Sequence, residues 1–209
     1  MVISLKNSYT IITGGDFAPI PPLPKTEHVI ACDKGYEYAL RCGIEPELVV
    51  GDFDSCSVSP ALGVPVERFR AEKDDTDTML AVRHALDSGA QSIKLLCALG
   101  GRLDHLLGNL QSAVFAAKRG VPVSLRDDDT EIMVLPPCAL SIERRSGFSL
   151  SLISAVDECT GVCISGVKYP LDKATVTNSF PIGVSNEWRA DRAELSFKSG
   201  VLMVIMAKL

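Results

Sequence analysis

Val49-Val50-Gly51-Asp52-Phe53-Asp54-Ser55 joins an apolar run to two carboxylates one residue apart. The run reads as a strand. In extended backbone residues i and i+2 point the same way, so Asp52 and Asp54 aim at one point while Phe53 turns into the body. Two carboxylates on one side of a strand end repel each other unless a cation lies between them. A hard, oxygen-seeking ion such as Mg2+ meets that need, and such ions usually arrive with substrate phosphates. A strand running into an acidic turn would explain this stretch by itself. Recurrence of the pattern further along the chain is what argues for more.

The second instance is Glu72-Lys73-Asp74-Asp75-Thr76-Asp77, ahead of a helical pattern with Met79, Val82 and Leu86 as its apolar stripe and Gly89 as its stop. Asp75 or Thr76 would cap that helix, and one cap explains one acid. Lys73, Asp74 and Asp77 crowded at the same end are left over for metal or phosphate. The third is Leu99-Gly100-Gly101-Arg102-Leu103-Asp104-His105, between a strand over 93–98 and a helix over 103–119. Gly100 and Gly101 let backbone N–H groups approach an anion at the positive helix end. Arg102 adds a permanently charged fork suited to phosphate oxygens. Asp104, in the first turn, is placed to accept a proton or hold a substrate group. His105 and Asn109 lie one turn apart, and His105 alone reads more simply as a surface histidine.

Before residue 126, strand and helix signals alternate: strands over 9–13, 28–31, 48–50, 93–98 and 121–125, helices over 36–42, from Thr78, and from Leu103. Such alternation predicts an α/β domain with a mainly parallel sheet, whose ligands bind at the carboxyl ends of the strands. Asp33 follows its strand as Asp52 and Asp54 follow theirs, and it joins the acidic rim. From residue 127 helix signals vanish. Short strands over 131–135, 139–145, 148–154, 161–165, 193–198 and 201–207, with Ser146-Gly147 and Ser199-Gly200 as hairpin turns, predict an all-β antiparallel sandwich or barrel. The expected domains are therefore 1–126 and 127–209.

Composition agrees with an enzyme. The 209 residues suffice for two modest cores. No apolar run reaches the roughly 18 residues of a membrane span, and the first residues carry no basic segment or cleavage pattern, so secretion is not expected. Seven cysteines without a Cys-x-x-Cys pair point to reduced thiols in a cytoplasm. A net charge of −5 argues against nucleic acid, which needs a basic face. A polyanionic substrate must then be received locally, by metal and a few cations. In the second domain, Trp188, the only Trp, stands beside Ser185 and Asn186 in a turn-rich loop. A flat ring with a hydroxyl and an amide nearby suits a planar heterocycle, although a core Trp with a turn-shaping Asn is an equal reading.

Taken in order and spacing, Gly51-Asp52-Phe53-Asp54-Ser55, Lys73-Asp74-Asp75-Thr76-Asp77, Gly100-Gly101-Arg102-Leu103-Asp104-His105 and Ser185-Asn186-Glu187-Trp188 resemble thiamine pyrophosphokinase. The segment Gly166-Val167-Lys168-Tyr169-Pro170-Leu171 resembles the family's stretch ahead of the Ser-Asn loop. The resemblance covers nearly the whole chain. It implies an α/β domain, a C-terminal β-sandwich, and a homodimer with active sites between subunits. It further implies transfer of a pyrophosphoryl group from ATP to the hydroxyethyl arm of thiamine, giving AMP and thiamine diphosphate.

Carried onto this chain, the resemblance implies Mg2+ held by Asp33, Asp52, Asp54 and Asp77. Nucleotide contacts would come from Asp33, Lys34, Gly35, Lys73, Asp74, Thr76, Gly100, Gly101 and Arg102. Thiamine would meet Asp104, His105, Ser185, Asn186 and Trp188, and Asp54, Asp77, Arg102 and Asp104 form the catalytic set. Lys34 departs from the family, many members of which carry Gly there. A pyrophosphokinase for another hydroxyalkyl heterocycle, such as a pterin alcohol, is the nearest alternative. A nucleotide- or thiamine-binding module without catalysis is the more distant one.

Overall fold

The computed structural model describes residues 7–51, 64–68 and 75–209. It divides into two compact units. The first ends at Ala116 and takes in Val123–Asp128; the second comprises Ala117–Pro122 and Asp129–Leu209.

The first unit alternates strand and helix: β1 (Ser8–Ile12), β2 (His28–Cys32), α1 (Gly35–Arg41), β3 (Leu48–Gly51), β4 (Val66–Arg68), α2 (Asp77–Asp87), β5 (Ser92–Leu96), α3 (Leu103–Ala117) and β6 (Val123–Arg126). The strands lie in the order β4-β3-β2-β1-β5-β6, and every pairing is parallel. Ile11, Ile12, Ile30, Val49 and Leu125 are fully buried, as expected for a parallel sheet covered on both faces. The chain builds outward from β1 in one direction and then restarts at β5 on the other side. β1 and β5 are thus the point where strand order reverses, and their carboxyl ends open a crevice.

The helices follow their sequence signals with one shift. Thr76 caps α2, its hydroxyl accepting from the Met79 N–H at 3.2 Å, while Asp75 pairs with Arg83 at 3.1 Å. The buried face of α2 is Thr78, Ala81, Val82 and Ala85, so the expected stripe of Met79, Val82 and Leu86 is rotated. Small alanines let the helix lie close to β1, β2 and β3, and Met79 and Leu86 flank the contact half-buried. Gly43, Gly89 and Gly120 adopt positive φ where the helices stop.

The second unit is an antiparallel β-sandwich. One sheet has the order β7 (Thr130–Leu135), β13 (Leu202–Lys208), β9 (Phe148–Ser154); the other runs β11 (Leu171–Thr177), β10 (Glu158–Ser165), β12 (Arg192–Ser196), β8 (Ala139–Glu143). Leu150, Leu202 and Val204 of the first sheet share one core with Val162, Ile164 and Leu195 of the second. Two strands were not expected from sequence. β11 carries Asp172, Lys173 and Thr175 toward solvent, and Lys173 takes φ 49° at an irregular register with β10, so its apolar alternation is broken. β4 is a three-residue edge strand, too short to show a period.

Within the first unit Asn109 is buried, and its Nδ2 donates to the Ala98 carbonyl at 3.0 Å, tying α3 to the end of β5. Asn109→Ala strands that carbonyl and should lower unfolding free energy by about 1–3 kcal/mol, measurable by urea titration.

Candidate active site

A cleft of about 800 Å3 opens at the carboxyl ends of β1, β2 and β5. Chain from each strand forms part of its wall. After β1 come Thr13, Gly14, Gly15 and Asp16; from the end of β2, Cys32, Asp33 and Lys34; after β5, Gly100, Gly101 and Arg102. Thr76 and Asp77 close it at the start of α2, and Asp104 and His105 at the start of α3.

Asp33 stands in the left-handed region (φ 44°), a conformation that Asp tolerates better than most residues. Its N–H donates to the Val50 carbonyl at 3.0 Å. Its carboxylate lies over Gly51, where any Cβ would run into Oδ1. Gly51 therefore both ends β3 and makes room for the acid of the neighbouring strand. Asp77 is reached from the other side: the buried Cys32 thiol donates to its carbonyl at 3.6 Å. Burial pushes that thiol well up, and the charges of Asp77 and then Asp33 push the same way. Asp33 and Asp77 line the same cleft as Cys32, from the end of β2 and the start of α2.

Among the described residues, no three His, Cys, Asp or Glu side chains form a ligand set by themselves. Asp52, Asp54, Lys73 and Asp74 lie outside the described residues. Asp33 and Asp77 offer the hard carboxylate oxygens that Mg2+ takes.

The loop after β5 turns on two glycines at positive φ, Gly100 (78°) and Gly101 (66°). Arg102 and Asp104 form a two-point pair, Nη2 to Oδ2 at 2.5 Å and Nε to Oδ1 at 3.1 Å, and the His105 N–H donates to Oδ1 at 3.0 Å. Both side chains are open to water, at 73% and 62% exposure. The Arg102 hydrogen bond holds the Asp104 carboxyl below the ordinary aspartate range, which makes Asp104 a weak proton acceptor and a good fixed acceptor for hydrogen bonds. Lys34 is exposed, its ammonium 5.7 Å from the centre of the Tyr38 ring. Gly35 has a packing role: a Cβ there would strike the Ile12 carbonyl, so only glycine lets α1 begin against β1.

Ser185, Asn186 and Trp188 belong to the second unit. Asn186 is buried; its Oδ1 accepts from the Tyr169 and Glu187 N–H groups, each at 3.0 Å, and its Nδ2 donates to the Tyr169 carbonyl at 2.8 Å. Its amide thus holds two loops together. The Trp188 indole N–H donates to the Phe148 carbonyl at 2.9 Å, and the ring packs on the sandwich core. Ser185 is exposed with φ 57°, its N–H donating to Ser151 Oγ at 2.9 Å.

Two family models match the chain: one described as the catalytic domain of thiamin pyrophosphokinase over residues 23–125, the other as its vitamin B1 binding domain over 138–202. A thiamine pyrophosphokinase of Bacillus subtilis (strain 168) is 34% identical, over 93% of this chain and 96% of that relative. The chain belongs to the thiamine pyrophosphokinase family. The crystal structure of the Bacillus subtilis thiamine pyrophosphokinase superposes with a TM-score of 0.85 at 30% identity, covering 96% of this chain and 99% of that one. That of Geobacillus thermodenitrificans gives 0.78 at 28% identity, over 97% and 98%.

On this thiamine pyrophosphokinase, the sequence reading overlooked Asp16, whose carboxylate accepts from the Gly101 N–H at 2.8 Å. Its signal was present, a strand ending in Gly14-Gly15-Asp16, but a single acid after a glycine pair looks like any turn. The Arg102–Asp104 pair makes a solution prediction. A carboxyl depressed in the folded state contributes stability above its unfolded pKa, lost as pH falls through the folded one. Carbon-13 NMR titration should place the Asp104 midpoint below that of a free aspartate, and Arg102→Ala should return it upward.

Proposed function

We propose that this thiamine pyrophosphokinase moves the terminal diphosphate of ATP onto the hydroxyl of thiamine, with Mg2+, in a cytoplasmic homodimer. The observation that carries the reading is the convergence of Asp33, Asp77, the Gly100-Gly101 turn and Arg102 on one cleft at the strand-order reversal. Residues 1–126 are assigned to ATP and catalysis and 127–209 to thiamine, an assignment supported by the two matched family domains.

Asp33 and Asp77, with Asp52 and Asp54, would hold the metal. When bound, Mg2+ neutralises charge on the phosphate oxygens and lines up the diphosphate for displacement. The Gly100-Gly101 turn, its Gly101 N–H held by Asp16, leads into the start of α3, where an anion is favoured. Arg102 keeps one side of its fork on Asp104, leaving the Nη1 side for phosphate oxygens. Asp104 accepts a hydrogen bond from the thiamine hydroxyl and aims it at the β-phosphorus. The new O–P bond forms as the bond from that phosphorus to the α,β-bridging oxygen breaks; AMP leaves with the oxygen, and the hydroxyl proton passes to water. A loose transition state asks little of a base, which suits an Asp104 that Arg102 keeps ionised. Trp188, anchored through its N–H, would offer a ring edge or face to thiamine, with Ser185 beside it.

Support for the homodimer is the apolar pair Leu103 and Leu107, one turn apart on α3 and 68% and 51% exposed. No helix among the described residues is long and apolar enough to cross a membrane, and six cysteines there carry no disulfide.

AMP release from ATP should depend on both thiamine and Mg2+; release without thiamine, or equal turnover of a pterin alcohol, would overturn the assignment. Asp77→Asn should cut turnover by on the order of 100-fold or more with an unchanged melting temperature. Trp188→Phe removes the bond to Phe148 and should cost about 1 kcal/mol of stability; an unchanged thiamine KM in that variant and in Trp188→Ala would remove the ring from the substrate site.

A further inference from the structure

We propose that Asp16 is a positioning residue of the transfer reaction: its carboxylate holds the Gly100-Gly101 turn in the shape that presents Arg102 and the first turn of α3 to the substrate phosphates. The inference rests on the thiamine pyrophosphokinase reading above.

The two loops that leave β1 and β5 are fitted to each other atom by atom. Thr13 begins the fit, its N–H donating to Leu96 at 2.9 Å and its Oγ1 to Cys97 at 2.7 Å. Gly15 continues it, because a Cβ there would strike the Cys97 carbonyl. Asp16 completes it. Its Oδ2 accepts from the Gly101 N–H at 2.8 Å, and a Cβ on Gly100 would lie 2.5 Å from the same oxygen and 3.1 Å from the Asp16 Cβ. Gly100 and Gly101 both sit at positive φ, a region two successive side chains would resist. The turn is therefore permitted by glycine and selected by the carboxylate beneath it.

Charge gives the second reason. A carboxylate at the lip of a cleft for polyanions repels its ligand unless a donor takes up that charge. The Gly101 N–H is such a donor, and charge-assisted bonds of this kind are shorter and stronger than neutral ones. Asp16 is exposed and lines the cleft, so its bond to Gly101 is what separates a positioning role from an ordinary surface acid.

Two variants and two measurements test this. Backbone amide exchange at Gly101 is measured without substrates, and steady-state kinetics with Mg-ATP and thiamine. In Asp16→Ala, Gly101 exchange should accelerate about tenfold or more; KM for ATP should rise and kcat fall by on the order of tenfold, with thiamine KM and melting temperature unchanged. Asp16→Asn keeps an acceptor oxygen of the same reach, and should restore Gly101 protection and most of kcat/KM. Unchanged Gly101 exchange in Asp16→Ala overturns the proposal. So does an Asp16→Asn enzyme as impaired as Asp16→Ala, which would make the charge itself the function. Exchange needs no substrate, so a wild-type protein inactive toward thiamine would sink the proposed reaction while the Asp16–Gly101 contact is still decided.

Discussion

Parallel strands β1 and β5 run side by side from Ser8 against Ser92 to Ile12 against Leu96, and the site depends on what the two chains do next. Each has a different neighbour on its other side, β2 for β1 and β6 for β5. Their continuations must therefore separate, and backbone that had been paired loses its partner. Thr13 supplies the last bonds of the ladder with both its N–H and its hydroxyl. Beyond it, amide and carbonyl groups face a crevice rather than another strand. A phosphate group can satisfy exposed N–H groups there, which is why sheets of this kind bind at the reversal.

The same geometry explains how a chain of net charge −5 can receive a polyanion. Asp33 and Asp77 line the cleft from the end of β2 and the start of α2, and the Cys32 thiol donates to the Asp77 carbonyl. Arg102 comes from the loop after β5 and is paired with Asp104. Acids gather where a divalent cation would reverse their sign, and the guanidinium lines the same cleft. Long-range attraction plays little part; the affinity has to be local, and it has to be assembled from three strand ends at once.

Much of this was legible from residue order. Apolar runs ending in acids located β2 and β3, and the alternation of strand and helix predicted the parallel sheet. What escaped was whatever depends on contact between distant segments. β11 shows no alternation because Asp172, Lys173 and Thr175 face water on an edge, while only Val176 is buried. The α2 stripe was misplaced by one position because alanine packs closer than leucine, a property of the partner sheet and not of the helix. Gly35 looked like part of a nucleotide loop, and its lack of a side chain turns out to answer the Ile12 carbonyl. Asp16 and Gly101 are far apart in sequence and meet only because β1 and β5 do.

Asn186 shows the same limit in the second unit, and sharpens the chemistry. Read by type, an amide beside an indole suggests the polar edge of a ring-binding site. In the fold its Oδ1 already accepts twice and its Nδ2 already donates, all to backbone of residues 169 and 187. Replacing any of those bonds with a ligand contact would leave a part-buried backbone group unpaired, a cost that offsets some of what the contact could return. Asn186 is better suited to fixing the two loops rigidly than to recognising a substrate directly. Rigidity has its own value for affinity, since loops already held in place lose little entropy when a ligand arrives.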